Sequence, residues 1–192
     1  MNTNNCILHI KNMVCPRCKY IVTQIFEDLG CHLLAVELGQ VVIRPQNIPS
    51  QQQIEERLKE NGFELLTFES ARLVERVKVL LINLLYWSRE VRWPIVLEEY
   101  LEMGMQTEFK ELDRLFLSIG GCSIREYFNL LRFERSKELV SYNELSIQHI
   151  AKQLGYGSPE TLSLEFSRRL DLEIPEFIHS ADKYRLSLDS IG

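Results

Sequence analysis

The 192-residue sequence has no apolar run long enough to span a bilayer. Its most apolar run, residues 77–87, contains Lys78 and Asn83 and falls short of the ~20 residues that a transmembrane helix needs. Residues 1–8 lack the basic-then-apolar pattern of a signal peptide, so we expect a cytoplasmic protein. Hydrophobic residues make up 45% and charged residues 26% of the chain, a composition that is ordinary for a globular protein.

The sequence also lacks the common signatures of enzymes. It contains no glycine-rich phosphate loop, no His-Glu-x-x-His pair and no nucleophile elbow. Each of these motifs sets a phosphate cradle, a metal ligand or a nucleophile at a fixed spacing. Because none is present, we predict that the protein is not an enzyme.

The cysteines do not form the pattern of a secreted disulfide framework, because there are five of them at uneven spacing. In a reducing cytosol a Cys-x-x-Cys pair is typical of a metal-binding or redox-active site. Cys15 and Cys18 form such a pair. The other three lie in apolar surroundings and are interpreted as small core residues: Cys6, Cys31 and Cys122.

The net charge of −5 is unevenly distributed. Residues 1–70 carry six basic and eight acidic side chains, residues 71–93 carry five and two, and residues 94–192 carry eleven and seventeen. The last segment is therefore acidic overall. Affinity for phosphates depends on neutralising them with Lys and Arg, so this balance argues against strong non-specific binding to nucleic acid.

The first seventy residues predict short strands and helices in alternation. Pro16 suits the first turn of a helix, Ser50 is a candidate N-cap, and a hairpin is expected at Gly39-Gln40. The predicted elements are a strand over 6–12, a helix over 16–29, strands over 31–38 and 40–44, a helix ending at Asn61-Gly62, and a strand over 63–68. This order is the ferredoxin-like βαββαβ arrangement, and it puts the cysteine pair in the first strand-to-helix loop.

Residues 1–70 resemble the heavy-metal-associated domain of copper chaperones and metal-pumping ATPases. The resemblance rests on the element order, on Met13-x-Cys15-x-x-Cys18 and on Asn61-Gly62-Phe63 before the last strand. It implies that Cys15 and Cys18 bind Cu(I) or another soft metal ion, and that Met13 packs inward to shape the loop. Two thiolates suit a low-coordinate Cu(I), whereas zinc would need ligands from a second chain. This sequence has Asn12 where a glycine commonly precedes the methionine.

Two other interpretations of the cysteine pair remain open. It could be a redox-active dithiol, or the remnant of a metal loop in a domain that serves only as a scaffold. His9 and His32 are interpreted as strand-surface residues and not as further ligands.

Residues 71–92 predict a long helix with a broad apolar stripe, which either packs on the next domain or forms a homodimer. From Pro94 onward the pattern is all helical. The predicted helices cover 95–103, 107–118, 123–141, 146–154, 158–169 and 175–184.

Residues 95–180 resemble the double helix-turn-helix domain of AraC-type transcription regulators. The residues that carry the resemblance are Leu145-Ser146-Ile147-x-x-Ile150-Ala151-x-x-Leu154-Gly155-Tyr156-x-Ser158, Leu162-Ser163-x-x-Phe166-Ser167-Arg168, Ile124-x-x-Tyr127-x-x-x-x-Arg132-x-x-Arg135-Ser136-Lys137-x-Leu139 and Leu112-x-x-Leu115-Phe116-x-x-x-Gly120. Ile150, Ala151 and Leu154 give the packed face of a first helix, and Gly155 permits the tight turn. Residues 158–169 would then be a recognition helix that enters the major groove.

The resemblance implies double-stranded DNA as the partner. We expect base or backbone contacts from Ser158, Glu160 and Thr161, and phosphate contacts from Lys110, Arg114, Arg168 and Arg169. Arg132 and Arg135 could instead brace the linking helix through carboxylates. The departures from the family are acidic or apolar residues at DNA-facing positions, an aspartate in place of a glycine and a displaced proline: Glu108, Glu111, Asp113, Leu164, Glu165, Asp171 and Pro175.

The sequence therefore predicts an α+β protein with three parts. These are a ferredoxin-like domain at 1–70, a linker helix at 71–93, and an all-α double helix-turn-helix domain at 94–184 followed by a tail at 185–192. The predicted function is sequence-specific transcription regulation with soft-metal sensing by the N-terminal part. The alternative is a cytosolic metal handler or adaptor whose helix-turn-helix half docks a protein.

Overall fold

The fold was analysed in a computed structural model that describes residues 5–46, 48–88 and 96–191. The chain divides into two compact parts, Met1–Val79 and Leu80–Gly192, here called the N-terminal and C-terminal domains. The division falls inside the predicted linker helix and not at either of its ends. The predicted boundary at 93–94 lies outside the described residues.

The N-terminal domain has the predicted order of elements. They are β1 (Cys6–Lys11), α1 (Pro16–Asp28), β2 (Leu33–Glu37), β3 (Gln40–Ile43), α2 (Gln51–Lys59) and β4 (Glu64–Leu66). The predicted N-cap of α2 is confirmed, since the Ser50 hydroxyl accepts a hydrogen bond from the backbone N–H of Gln53 and the Gln53 side chain returns the contact. The predicted hairpin is also present, with Gly39 at φ +78° in the loop between β2 and β3.

The four strands form one antiparallel sheet in the order β2-β3-β1-β4. The core of the domain joins β1, β3 and both helices through side chains that are almost fully buried. It consists of Ile10, Met13, Val22, Ile25, Phe26, Val41, Ile43, Ile54, Leu58 and Phe63. Met13 is completely buried, as the resemblance to the heavy-metal-associated domain implied, so the cysteine loop is anchored to the core on its N-terminal side.

The helix predicted over 71–92 begins two residues earlier and changes from α-helical to π-helical geometry after Ile82. Helix α3 spans Glu69–Ile82, and a π-helical turn follows at Asn83–Trp87, closed by a hydrogen bond from Ser88 N–H to the Asn83 carbonyl (2.8 Å). Residues 89–92 lie outside the described residues. The apolar stripe is largely buried in the single chain: Val74, Val77, Leu81, Leu84 and Leu85. That burial favours packing within the chain, and a homodimer through this helix stays a prediction.

The C-terminal domain is helical throughout its described residues after this turn. Its helices are α4 (Leu97–Met105), α5 (Phe109–Gly120), α6 (Ile124–Tyr142), α7 (Ile147–Gln153), α8 (Pro159–Leu170), α9 (Ile174–Ile178) and α10 (Ala181–Tyr184). The first of these helices, predicted to end at residue 103, continues through Gly104 to Met105. No helix among the described residues is both long and apolar enough to cross a membrane.

The single helix predicted over 175–184 is wrong, because α9 and α10 are separated at His179-Ser180. Side chains next to the break compete for the helical carbonyls. His179 Nδ1 lies 2.8 Å from the Pro175 carbonyl, and the Ser180 hydroxyl donates to the Glu176 carbonyl (3.2 Å).

Residues 185–191, predicted as a tail, are held against α6. The backbone N–H of Leu186 donates to Glu134 (2.8 Å), and Arg185 pairs with Glu138 (3.3 Å). A 3₁₀ turn at Leu188–Ser190 follows, and Ile191 is buried. The segment is therefore part of the fold of the C-terminal domain.

Candidate nucleic-acid interface and cysteine loop

Helices α4 and α5 form the first helix-turn-helix motif. Leu101 and Met105 of α4 are buried, as are Leu112 and Phe116 of α5. Gln106 ends α4 in the left-handed region (φ +55°). The carboxylate of Glu102 accepts a hydrogen bond from the backbone N–H of Phe109 (2.8 Å), which gives the first turn of α5 an acceptor. The turn between the two helices is thus fixed from both sides.

Helices α7 and α8 form the second motif, with the packed face that the sequence predicted. Ile150, Ala151 and Leu154 are buried, and Gly155 adopts φ +70° in the turn. Ser158 caps α8, because its hydroxyl accepts a hydrogen bond from the backbone N–H of Thr161 (3.2 Å).

The recognition helices α5 and α8 share one pattern of N-cap, buried residues and C-terminal residue, here called the repeated frame. Equivalent positions in the two helices are 50 residues apart. Both are 12 residues long, with N-caps at Glu108 and Ser158. Both bury the fourth and eighth residues after the N-cap, and both end at a left-handed residue. The equivalent pairs are Leu112 with Leu162, Phe116 with Phe166, and Gly121 with Asp171.

The repeat explains the departure at Asp171. This residue has φ +56° and stands where the first motif has Gly121 at φ +77°. Asp and Asn tolerate the left-handed region better than other non-glycine residues. Asn12 is the same case in the N-terminal domain, with φ +71° directly before the buried Met13. Both glycine replacements therefore keep the backbone conformation that a glycine would supply.

Most of the predicted DNA-contacting side chains are exposed on the two recognition helices. Lys110 and Arg114 are exposed on α5. On α8 the exposed residues of the prediction are Glu160, Thr161, Arg168 and Arg169, and the N-cap Ser158 is half-buried. Glu160 is held near Ser158, whose hydrogen bond lowers the pKa of its carboxyl. The structure thus places the predicted residues on two separate but equivalent helices.

Arg169, Glu165 and Asp113 also have partners inside the protein. The Arg169 guanidinium lies 2.6 Å from the Glu165 carboxylate and over the Phe133 ring (5.3 Å). Asp113 accepts a hydrogen bond from the backbone N–H of Ile124 at the start of α6 (2.8 Å). Two of the acidic departures, Asp113 and Glu165, therefore have structural roles.

Arg132 lies in a groove that sequence reasoning missed. Its guanidinium sits over the Tyr156 ring (4.4 Å) and donates to Asn129 (3.0 Å). The groove has a volume of about 750 Å³ and is lined by parts of α4, α6, α7 and the turn before α8. Arg135 pairs with Glu138 on the same helix. Arg135 thus has the carboxylate partner of the bracing role considered from the sequence, whereas the partners of Arg132 are an amide oxygen and an aromatic ring.

The cysteine pair lies at the start of α1. Cys15 is its N-cap, and the backbone N–H groups of Cys18 and Lys19 both donate to the Cys15 carbonyl (3.0 and 3.4 Å). The two sulfur atoms are 3.2 Å apart, and both side chains are half-buried. Burial, and then the hydrogen bond with Cys15, raise the pKa of the Cys18 thiol.

The donor set of this loop fits a soft, low-coordinate ion. With a metal–thiolate bond of about 2.3 Å, one ion can contact two sulfurs up to about 4.6 Å apart, so both cysteines are within reach of a single ion. Within the described part of the chain, no group of three or more His, Cys, Asp or Glu side chains could hold a metal. A four-ligand zinc site thus finds no complete ligand set there. Cys6 and Cys31 are half-buried against the domain core.

Glu75 of α3 is a buried acid that supports the loop. It is 7% exposed, and its carboxylate accepts a hydrogen bond from the backbone N–H of Asn12 (3.1 Å). Burial raises the pKa of the Glu75 carboxyl above its ordinary value of 4.5, although the Asn12 hydrogen bond and the charges of Lys78 and Lys11 oppose the shift. The folded domain therefore binds this proton more tightly than the unfolded chain does.

Glu75→Gln should reduce the decrease in the free energy of unfolding that the wild type shows as the pH rises. Because the folded pKa is raised, the protonated carboxyl contributes stability below pH 4.5, and that contribution is lost as the pH rises through the folded pKa. Glutamine stays neutral and still accepts from Asn12. Urea unfolding followed by circular dichroism at pH 5 and pH 8 should show a smaller decline for the variant. If the stability of Glu75→Gln fell as much between pH 5 and pH 8 as that of the wild type, this explanation would be contradicted.

Comparison with known proteins places the C-terminal domain in a recognised class. Residues 105–177 match the model of a family described as a helix-turn-helix domain. The chain is similar to the lactose operon transcription activator of Staphylococcus xylosus, with 29% identity over 68 residues, which are 35% of this chain and 24% of that protein. The chain thus matches about a quarter of the length of that relative. No solved structure matches the chain significantly. The family match confirms the predicted helix-turn-helix domain over residues 105–177.

Proposed function

We propose that this protein is a sequence-specific transcription regulator that binds double-stranded DNA through α5 and α8. The observation that carries the proposal is the pair of recognition helices, built on one repeated frame within the family match. In helix-turn-helix proteins the second helix of each motif lies in the major groove and its N-terminal residues meet base edges. Two such helices in one domain would read two subsites of one duplex.

The exposed side chains fall into two groups, cations that would contact phosphates and first-turn residues of α8 that would contact bases or the backbone. Lys110 and Arg168 are exposed cations, one near the start of α5 and one near the end of α8. Cations in these positions contact phosphates and set the orientation of the domain on the duplex. Glu160 and Thr161 lie in the first turn of α8, from which we expect them to contact base edges or the backbone. Phosphate affinity is modest because the C-terminal segment is acidic.

A gel shift with DNA from upstream of the gene of this protein tests the proposal. We expect at least one fragment to be retained at low salt. Arg168→Ala should weaken binding at every sequence and reduce the slope of log affinity against log salt by about 0.9, the value of one lost phosphate contact. Arg57→Ala removes the same charge from the surface of α2 and is the matched control, with no expected change.

Two results would contradict the proposal. One is that no fragment is retained at low salt, with or without Cu(I). The other is equal weakening by Arg168→Ala and Arg57→Ala, since that would make the effect one of net charge. A helix-turn-helix domain that docks a protein instead of DNA would give the first result.

We further propose that the N-terminal domain is a ferredoxin-like module that senses a soft metal ion through Cys15 and Cys18. Support comes from the antiparallel β2-β3-β1-β4 sheet, the burial of Met13 and the two sulfur atoms within reach of one ion. A bound ion such as Cu(I) would tie the thiolates together and fix the start of α1. Helix α3, whose Glu75 binds the backbone of Asn12 in the same loop, is the route by which we expect the change to pass on.

Titration with Cu(I) tests the sensor. Cys15→Ser/Cys18→Ser should lose the high-affinity site, because no thiolate pair remains at α1. Cys6→Ser/Cys31→Ser is the matched control, since it also leaves three cysteines and should bind as the wild type does. If the wild type and Cys15→Ser/Cys18→Ser bind Cu(I) equally, the loop is not the site. Coupling requires that Cu(I) and DNA change the affinity for each other by the same factor.

A further inference from the structure

The repeated frame of α5 and α8 identifies the position on each helix that points directly away from the buried face. One residue turns an α-helix by about 100°, so the sixth residue after the N-cap lies about 180° from the mean direction of the fourth and eighth. The fourth and eighth residues are the buried ones in both helices. The sixth residue is Arg114 on α5 and Leu164 on α8, and both are exposed.

These two equivalent positions carry opposite chemistry. Arg114 is a cation with no ion pair to any described residue. Leu164 is a large apolar side chain that is 60% exposed, whereas Leu162 and Phe166 of the same helix are fully buried. Packing of the domain does not use Leu164, because its side of α8 faces away from the core. Its presence at the centre of a recognition surface therefore points to a partner that offers an apolar group.

The neighbouring side chains make Leu164 the centre of a defined surface on α8. Glu160 and Thr161 lie one turn before it, and Arg168 lies one turn after it, all exposed. Glu165 is turned aside into its ion pair with Arg169. The α8 surface thus offers an acceptor, a hydroxyl and an apolar group in a row.

We propose that Leu164 contacts the C5-methyl group of a thymine and that Arg114 binds a guanine, so that the two motifs read subsites of different base composition. This inference rests on the proposed DNA binding. In the major groove the methyl group of thymine is the apolar feature, and guanine offers O6 and N7 to a bidentate arginine. Arg114 thereby becomes a base-reading residue and not the phosphate contact that the sequence predicted.

The test begins with a binding site selected by the full chain from randomised duplexes. Each thymine is then replaced singly by uracil, which removes only the methyl group. One position should weaken wild-type binding by about fourfold, the value of one buried methyl group. Leu164→Ala should bind the thymine and uracil duplexes equally. Met103→Ala, which removes an 83%-exposed apolar side chain from α4, should retain the wild-type response.

The guanine arm uses single replacement by 7-deazaguanine, which lacks the N7 acceptor. One position should lower wild-type affinity by about tenfold. Arg114→Lys keeps the charge but loses the bidentate geometry, so it should no longer distinguish guanine from 7-deazaguanine, while the salt dependence stays that of the wild type. A phosphate contact would behave differently, because lysine would retain the affinity and every guanine analogue would be tolerated.

Each outcome separates this inference from the proposed function. If no sequence is enriched and no duplex is bound, DNA binding itself fails. If a site is selected but no thymine-to-uracil change affects the wild type, or Leu164→Ala responds as the wild type does, the assignment of Leu164 is wrong while DNA binding stands. If Arg114→Lys binds and discriminates as the wild type does, the assignment of Arg114 is wrong.

Discussion

Lys137→Met should destabilise the C-terminal domain by about 3–5 kcal/mol, because it leaves the carboxylate of Glu134 buried without its cation. Both residues lie on α6 and are almost completely buried, at 3% exposure for Lys137 and 4% for Glu134. The Lys137 ammonium is 2.5 Å from the Glu134 carboxylate and donates to the Tyr184 carbonyl. Methionine retains most of the apolar stem, so the loss should come from the charge.

A second substitution separates the unpaired charge from other effects. Glu134→Gln removes the negative charge but keeps an oxygen that can accept from the backbone N–H of Leu186. The double variant Glu134→Gln/Lys137→Met should therefore recover part of the stability lost by Lys137→Met. If the double variant is as unstable as the single one, the buried charge is not the cause.

Tryptophan fluorescence during urea unfolding is a suitable measurement. Trp87 lies at the end of the π-helical turn in the C-terminal domain, so its fluorescence reports on that domain. This matters because unfolding of a two-domain chain need not be a single two-state transition.

The buried pair also shows why residues 185–191 could not be recognised as structured from the sequence. Lys137 and Glu134 are three residues apart on a helix, a spacing that is typical of a solvent-exposed ion pair. In the structure their remaining hydrogen-bonding capacity is used by the backbone of Tyr184 and Leu186. Contacts between residues 47 and 52 positions apart leave no local sequence signal. Burial of this pair therefore depends on the tertiary fold.

The order of elements could be predicted because local signals agreed with one another. In the N-terminal domain the Ser50 cap, the Gly39 turn and the periodicity of apolar residues each mark a boundary, and all are found near the predicted positions. The helix-turn-helix motifs were equally visible, since the buried residues of α7 and the turn glycine follow helical spacing. The break between α9 and α10 was not visible, because it depends on which carbonyls the His179 and Ser180 side chains bind.

The candidate sites were predictable as positions but not as roles. Sequence spacing put Cys15 and Cys18 in one loop and the residues proposed to contact DNA on two helices, and these residues lie in that loop and on those helices in the structure. It could not show that Arg169 forms an ion pair with Glu165 and lies over the Phe133 ring. Nor could it show that Asp113 accepts a hydrogen bond from the first residue of α6. Arg114 and Leu164 could be recognised as equivalent positions only once the buried residues of both helices were known.

Phe166→Ala should destabilise the C-terminal domain by about 3–5 kcal/mol, the usual cost of removing a buried aromatic ring. Phe166 is fully buried on α8, and its ring packs edge-on against Phe133 (5.1 Å) and Phe177 (5.0 Å). Phe166→Leu retains most of the volume and loses chiefly these ring contacts, so its cost should be smaller, about 1–3 kcal/mol. Urea unfolding followed by tryptophan fluorescence measures both variants.

Leu164→Ala is the matched control on the same helix, because Leu164 is exposed and lies two positions before Phe166. We expect its stability to stay within about 0.5 kcal/mol of the wild type. If Leu164 contacts DNA, this variant changes base preference without changing stability, whereas Phe166→Ala weakens DNA binding only to the extent that α8 is no longer held in place. Equal destabilisation by the two variants would mean that Leu164 is part of the core. In that case its exposure could not be used to assign it to the DNA.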